Sequence, residues 1–94
     1  MRIYFVYILQ SIHDDWLYIG QTDNLKNRFI KHNTGKVKST KHKIPFNLVY
    51  YEQYYSRSEA MWREWELKKK YNKQRKLKLI RNFDQRKIAQ VLGP

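Results

Sequence analysis

Residues 3–9 of this chain run Ile-Tyr-Phe-Val-Tyr-Ile-Leu, apolar or aromatic on both alternating sets of positions. A strand with one wet face alternates apolar and polar side chains, so a strand of this kind is covered on both faces. Residues 16–20 (Trp-Leu-Tyr-Ile-Gly) predict a second strand, and the polar link Gln10 to Asp15 joins the two as an antiparallel hairpin. With the hairpin centred between Ile12 and His13, Tyr7 lies directly across from Tyr18 on one face of the sheet.

The spacing then turns helical. Residues 23–34 predict a helix with Thr22 or Asp23 as N-cap and Gly35 as terminator, on which Leu25, Phe29 and His32 share one face and Arg28 flanks it. Residues 35–46 form a basic loop of a length that small domains reserve for function. Residues 47–54 predict a third strand. Ser56 and Glu59 match a capping box that opens a helix to about Tyr71. Further helical pieces cover about Asn72 to Asn82 and Asp84 to Leu92, with no Gly or Pro between 47 and 92. The order ββαβαα predicts an α+β fold, a small three-stranded antiparallel sheet packed with helices. Ninety-four residues make a single domain over 1–94, with its core at about 3–82 and a C-terminal extension at 83–94.

Charge separates the possible partners. Twenty Lys and Arg stand against eight Asp and Glu, a formal net charge of +12, which points first to polyanions. The tract 68–81 alone holds eight of the basic residues. Lys and Arg that neutralise phosphates release counterions and supply affinity without sequence information. Candidate contacts are Lys36, Lys38, Thr40 and Lys41 in the loop and Lys68, Lys69 and Lys73 in the tract. The apolar run at 3–9 is far too short to span a bilayer, and it lies against Met1 without a small-residue cleavage site, unlike a signal peptide. Fifteen aromatic residues argue against disorder. With no cysteine there are no disulfides and no thiolate metal sites, which suits a reducing cytosol and a cytoplasmic location.

Several side chains look like chemistry. On the helix after Ser56, Ala60, Met61, Leu67 and Tyr71 form an apolar stripe, and Glu64 falls near its centre. A carboxylate there is costly unless it is paired or holds a metal. An ion pair with Arg28, a hydrogen bond to a buried tyrosine and a metal site all meet that need. His32 follows Arg28 by one helical turn. A tyrosine becomes a useful base when a cation such as Arg28 lowers its pKa from about 10. Gly20, Gly35 and Gly93 are the only glycines, so there is no phosphate-cradling loop, and no H-E-x-x-H or G-x-S-x-G motif occurs.

These residues, in this order, resemble the GIY-YIG nucleases. Phe5-Val6-Tyr7 stands where the family has its first triplet and keeps its tyrosine. Tyr18-Ile19-Gly20 matches the second triplet in full. Arg28 and His32 follow at the family's spacing, and Arg63-Glu64-Trp65 through Lys68 is similar to the segment carrying its metal-binding glutamate. The wording of the chain resembles the small stand-alone members, and Thr40, in the stretch ending at Pro45, is expected near the site. Gln21 stands where excision-repair members have a lysine, and Lys76 stands near where larger members have an asparagine.

The resemblance implies an endonuclease that hydrolyses phosphodiester bonds in DNA with one divalent ion, Mg²⁺ or Mn²⁺, bound by Glu64. Tyr18, or Tyr7 with it, would take a proton from the attacking water. Arg28 would stabilise the phosphate charge, and His32 would position water or relay a proton. Single-stranded or branched DNA is the expected substrate. A non-catalytic DNA- or RNA-binding module on the same scaffold is the alternative, and an adaptor for an acidic protein is a remoter one.

Overall fold

The computed structural model describes residues 2–93. In chain order the elements are β1 (Tyr4–Ser11), β2 (Leu17–Thr22), α1 (Leu25–Asn33), β3 (Phe46–Tyr54), α2 (Arg57–Lys69), α3 (Lys73–Arg81) and α4 (Arg86–Leu92). A single 3-10 turn at Lys41–Lys43 interrupts the basic loop. The strands form one antiparallel sheet in the order β2-β1-β3, so the strand apolar on both faces is the central one. Val6 and Ile8 pack into one layer with Ile19, Tyr50, Ala60 and Leu67. Tyr7 and Leu9 pack into the other with Leu25, Phe46 and Leu48. The fold is α+β, with α2 and α3 on the first face and α1 and α4 on the second. The expected C-terminal extension contributes Ile88, Val91 and Leu92 to the second layer.

Two expectations about local geometry are corrected. Tyr7 pairs with Gly20 and Tyr18 with Leu9, so the register differs by two residues from a direct Tyr7–Tyr18 pair. The hairpin closes at Ser11, whose N–H donates to the Trp16 carbonyl at 3.0 Å, around a four-residue loop. The Asp14 carboxylate holds that loop by accepting the Trp16 N–H at 2.9 Å and pairing with Lys43 at 2.7 Å. Because side chains alternate with a period of two, a shift of two leaves both tyrosines on the same face. The N-cap of α1 is Asn24, whose side chain accepts the Asn27 N–H at 3.1 Å, in place of Thr22 or Asp23. Thr22 supports the cap by accepting the Asn24 N–H.

Gly35 ends α1 as expected. At φ +76° it lets its own N–H reach the His32 carbonyl at 3.2 Å and the Lys36 N–H reach Lys31 at 3.0 Å. In β3 one extra residue, Val49, lies between the partners of Ile8 and Leu9. That irregularity turns Tyr50 toward one layer and Leu48 toward the other, so a single strand serves both.

On α2, Ser56 caps by accepting the Glu59 N–H at 3.2 Å, and the helix stops two residues before Tyr71. Its buried side is Ala60 and Leu67, whereas Met61 is exposed, so the apolar stripe is narrower than its spacing suggests. A two-pronged ion pair between Arg63 and Glu52 of β3, at 2.8 and 2.9 Å, clamps the helix to the sheet. The hydroxyls of Tyr50 and Tyr54 donate to the same carboxylate. Burial works against the charge on Glu52, yet Arg63 and these hydroxyls outweigh it and hold the carboxyl below its ordinary range.

Candidate active site

Tyr7 projects from the central strand across β2, and Gly20 makes the room. A Cβ at position 20 would stand 2.5 Å from the Tyr7 hydroxyl oxygen and 3.0 Å from the Tyr18 ring. A glycine is needed here for close approach rather than for an unusual backbone angle. The two tyrosine rings lie 6.4 Å apart on one face, and Trp16 stacks on Tyr18 at 6.2 Å.

From α1, His32 enters this cluster fully buried. Its Nε2 lies 2.8 Å from the Tyr7 hydroxyl, and its Nδ1 lies 2.8 Å from Thr40 Oγ1. The Thr40 hydroxyl donates onward to the Val37 carbonyl at 3.4 Å. Thr40 therefore accepts from Nδ1–H, and the Nε2 lone pair accepts the Tyr7 O–H. Burial first, and the nearby Arg28 cation second, lower the His32 pKa to about 4, so the ring is neutral near pH 7. Burial also pushes the Tyr7 hydroxyl well above its ordinary pKa. Arg28 opposes that rise, while Tyr18 and Glu64 add to it. Arg28 thus does not make Tyr7 an ionised base. It sits beside a neutral, hydrogen-bonded Tyr–His pair.

Glu64 reaches the same region from the helix on the opposite layer. Its side chain is 22% exposed, at the margin of the α2 contact rather than the centre of a stripe. Among the described residues its ion-pair partner is Lys68, one turn on, at 3.0 Å, and not Arg28. The Lys68 ammonium lies 5.9 Å from the Tyr18 ring centroid, which brings the carboxylate to the rim of β2 beside the tyrosines. Tyr7, Tyr18, Arg28, His32 and Glu64, named from the sequence, therefore gather in one neighbourhood.

Among the described residues no group of three or more His, Cys, Asp or Glu gathers to cage a metal. One half-exposed carboxylate is a hard oxygen donor, however, and Mg²⁺ commonly binds through one or two carboxylates while keeping several waters. The donor set fits an ion of that kind and no softer one.

Lys36, Lys38, Lys41, Lys68, Lys69 and Lys73 are all exposed. Thr40, grouped with them from the sequence, is fully buried against His32 and offers nothing to a phosphate. Two shallow concavities flank β2. One of about 170 Å³ includes Arg28, Asn27 and Lys31, and one of about 220 Å³ includes Trp16, Lys73 and Lys76. Another, about 530 Å³, lies between α1, β3 and α4 and is lined by Phe29, Leu48, Ile88 and Leu92, away from the tyrosines. Sequence reasoning missed Trp16 as a neighbour of Tyr18. Their spacing of two along one strand was the available signal.

The family model for the GIY-YIG catalytic domain matches residues 3–78. A UPF0213 protein of Staphylococcus epidermidis is 47% identical over 81 residues, covering 85% of this chain and 96% of that protein. One from Lactococcus lactis subsp. cremoris is 41% identical over 83 residues, covering 87% and 84%. The solution NMR structure of the UPF0213 protein from Bacillus halodurans, 34% identical, superimposes with a TM-score of 0.53 over 84% of this chain and 83% of that one. Two tyrosines on one sheet face, an arginine and histidine one turn apart and a carboxylate at the strand rim coincide with this match, and the chain belongs to the GIY-YIG catalytic-domain family.

Proposed function

We propose that this domain is an endonuclease that hydrolyses phosphodiester bonds in nucleic acid, DNA in the first place, at single-stranded or branched segments. One observation carries the reading: side chains from β1, β2 and α1 (Tyr7, Tyr18, Arg28, His32) meet a carboxylate from α2 (Glu64) at the open edge of the sheet. Arg28 binds the scissile phosphate and stabilises the charge that develops on it. Tyr18, half-exposed where Tyr7 is buried, faces the attacking water. Behind it the Tyr7 O–H, held by the His32 Nε2 lone pair with Thr40 fixing the tautomer, stays protonated and positions its ring against Tyr18, while the water's proton leaves through Tyr18 to solvent. Glu64 would hold a Mg²⁺ or Mn²⁺ ion, which when bound polarises the phosphate and stabilises the leaving oxygen. The net charge of +12 supports recognition through phosphates. A cytoplasmic location belongs to the same reading. It is supported by the absence of cysteine and by the absence, among the described residues, of a helix long and apolar enough to cross a membrane.

The test is a panel of labelled single-stranded, duplex, flap and branched DNAs, with RNA, incubated with Mg²⁺, Mn²⁺ or EDTA. Cleavage is expected with metal and lost in EDTA. Glu64→Gln should be inactive while folding and binding DNA, because it removes the charge and little volume. Salt-sensitive binding with no cleavage of any substrate would favour the non-catalytic binding module. Metal-dependent cleavage retained by Glu64→Gln would place the ligand elsewhere.

A further inference from the structure

The outer side of α2 carries a feature that the hydrolytic site does not use. Trp62 and Trp65 are 57% and 44% exposed, and their rings stack on each other at 5.0 Å and 21°. The Lys70 ammonium lies 5.8 Å from one ring centroid and 5.7 Å from the other. Met61, 52% exposed, continues the apolar surface from Trp65 toward Glu64. Indole is among the largest apolar groups a chain can expose, and two together form a patch that calls for an occupant.

The surroundings decide which occupant. Lys70 sits against both rings and Lys69 beside it is exposed, so an occupant that is anionic and has flat faces fits the patch. A second copy of this chain would bring another +12 against the same lysines. Bases of an unpaired strand meet both requirements, because each offers a π-face while its phosphate faces a lysine. Duplex bases are stacked on one another and have no free face to offer. We propose that the Trp62–Trp65 pair is a platform on which bases of a single-stranded nucleic acid segment stack, its nearer ring, Trp65, about 100° around α2 from Glu64. The proposal rests on the nucleic-acid reading of the site and specifies the form of strand the site takes. Stacking on Trp62 and Trp65 would fix a strand on the α2 side of the β2 rim, while Arg28 engages a phosphate on the α1 side.

The test measures binding in EDTA, so that cleavage plays no part. Anisotropy of end-labelled strands is titrated for a short oligothymidylate and for an abasic strand of equal length and charge, with tryptophan quenching followed in the wild type. The wild type should bind the thymidylate about ten-fold more tightly, the size of one base stack, with quenching. Trp62→Ala/Trp65→Ala should remove that preference and leave the abasic affinity and its salt dependence unchanged. Trp62→Phe/Trp65→Phe, which keeps two aromatic faces, should retain most of it. Equal binding of both strands by the wild type overturns the proposal, as does a preference that survives the double alanine variant. Self-association abolished by the same variant, with no base preference, would make a second copy the occupant. A base preference without metal-dependent cleavage leaves the platform standing and removes the hydrolytic reading; cleavage without a base preference does the reverse.

Discussion

His32 is the residue on which the site's hydrogen bonding turns. Its pKa is 6.5 in an unfolded chain and falls to about 4 here, first through burial and then through Arg28. The unfolded chain therefore holds the proton more tightly. Stability from this group is full above about pH 6.5 and is lost as pH falls toward 4, about 3 kcal/mol in all. Melting temperatures stepped from pH 7 to pH 4.5 should decline, and His32→Gln should flatten the decline. A variant that keeps the wild-type slope would assign the loss to other groups. The tyrosines divide the chemistry in a way that kinetics can read. Tyr18→Phe removes only a hydroxyl and should melt close to wild type, yet cleavage should fall by about two to four orders of magnitude if that hydroxyl acts as base. Arg28→Ala should cost as much or more. If Tyr18→Phe cleaves normally and Tyr7→Phe is inactive, the two exchange roles. The residues of the site were legible because their types and spacings are local facts of the sequence. The bonds between them were not all read: Arg28 was offered as an ion partner of Glu64, whereas the carboxylate pairs with Lys68, its i+4 neighbour on the same helix.

Among the elements, α2 has the most demanding task, since it belongs to one layer and must deliver a carboxylate beside side chains of the other. Arg63 and Glu64 are adjacent, so about 100° of helix separates them. Arg63 is pinned to Glu52 on the β3 side, which leaves Glu64 turned toward β2. Both clamp side chains are only 17% exposed, so removing one leaves a half-buried charge without its partner. Arg63→Met should destabilise the fold by about 2–4 kcal/mol in denaturant titrations. It should also lower cleavage in the fraction that stays folded, whereas an unchanged rate per folded molecule would mean that the clamp does not orient Glu64. The clamp was invisible in the sequence, because residues eleven apart on a strand and a helix meet only after packing. The strands were visible, because a period of two with both sets apolar has one structural solution. The N-cap of α1 was expected at Thr22 or Asp23; the structure places it one residue on, at Asn24, an equally capable capper that the expectation passed over.

For the molecule as a whole, charge sets how it meets a polymer. Log affinity for an oligonucleotide should fall linearly with log salt, with a slope equivalent to several released counterions. Charge reversal at Lys68, Lys69 and Lys73 should flatten that slope; a salt-independent affinity would rule out phosphate tracking. The sheet order adds a geometric consequence. β2 has a neighbour on one side only, and the hollows beside it are shallow, about 170 and 220 Å³. The candidate site, hydrolytic as proposed above, lies on such a margin, where a strand has no tunnel to thread among the described residues. Any internal stretch of a strand can be laid against it sideways and leave the same way. Closed circles of single-stranded DNA should then be opened about as readily as linear strands of equal length, and a cut molecule should diffuse away before it is cut again. A strict requirement for free ends would show that the margin is shut when a strand is bound.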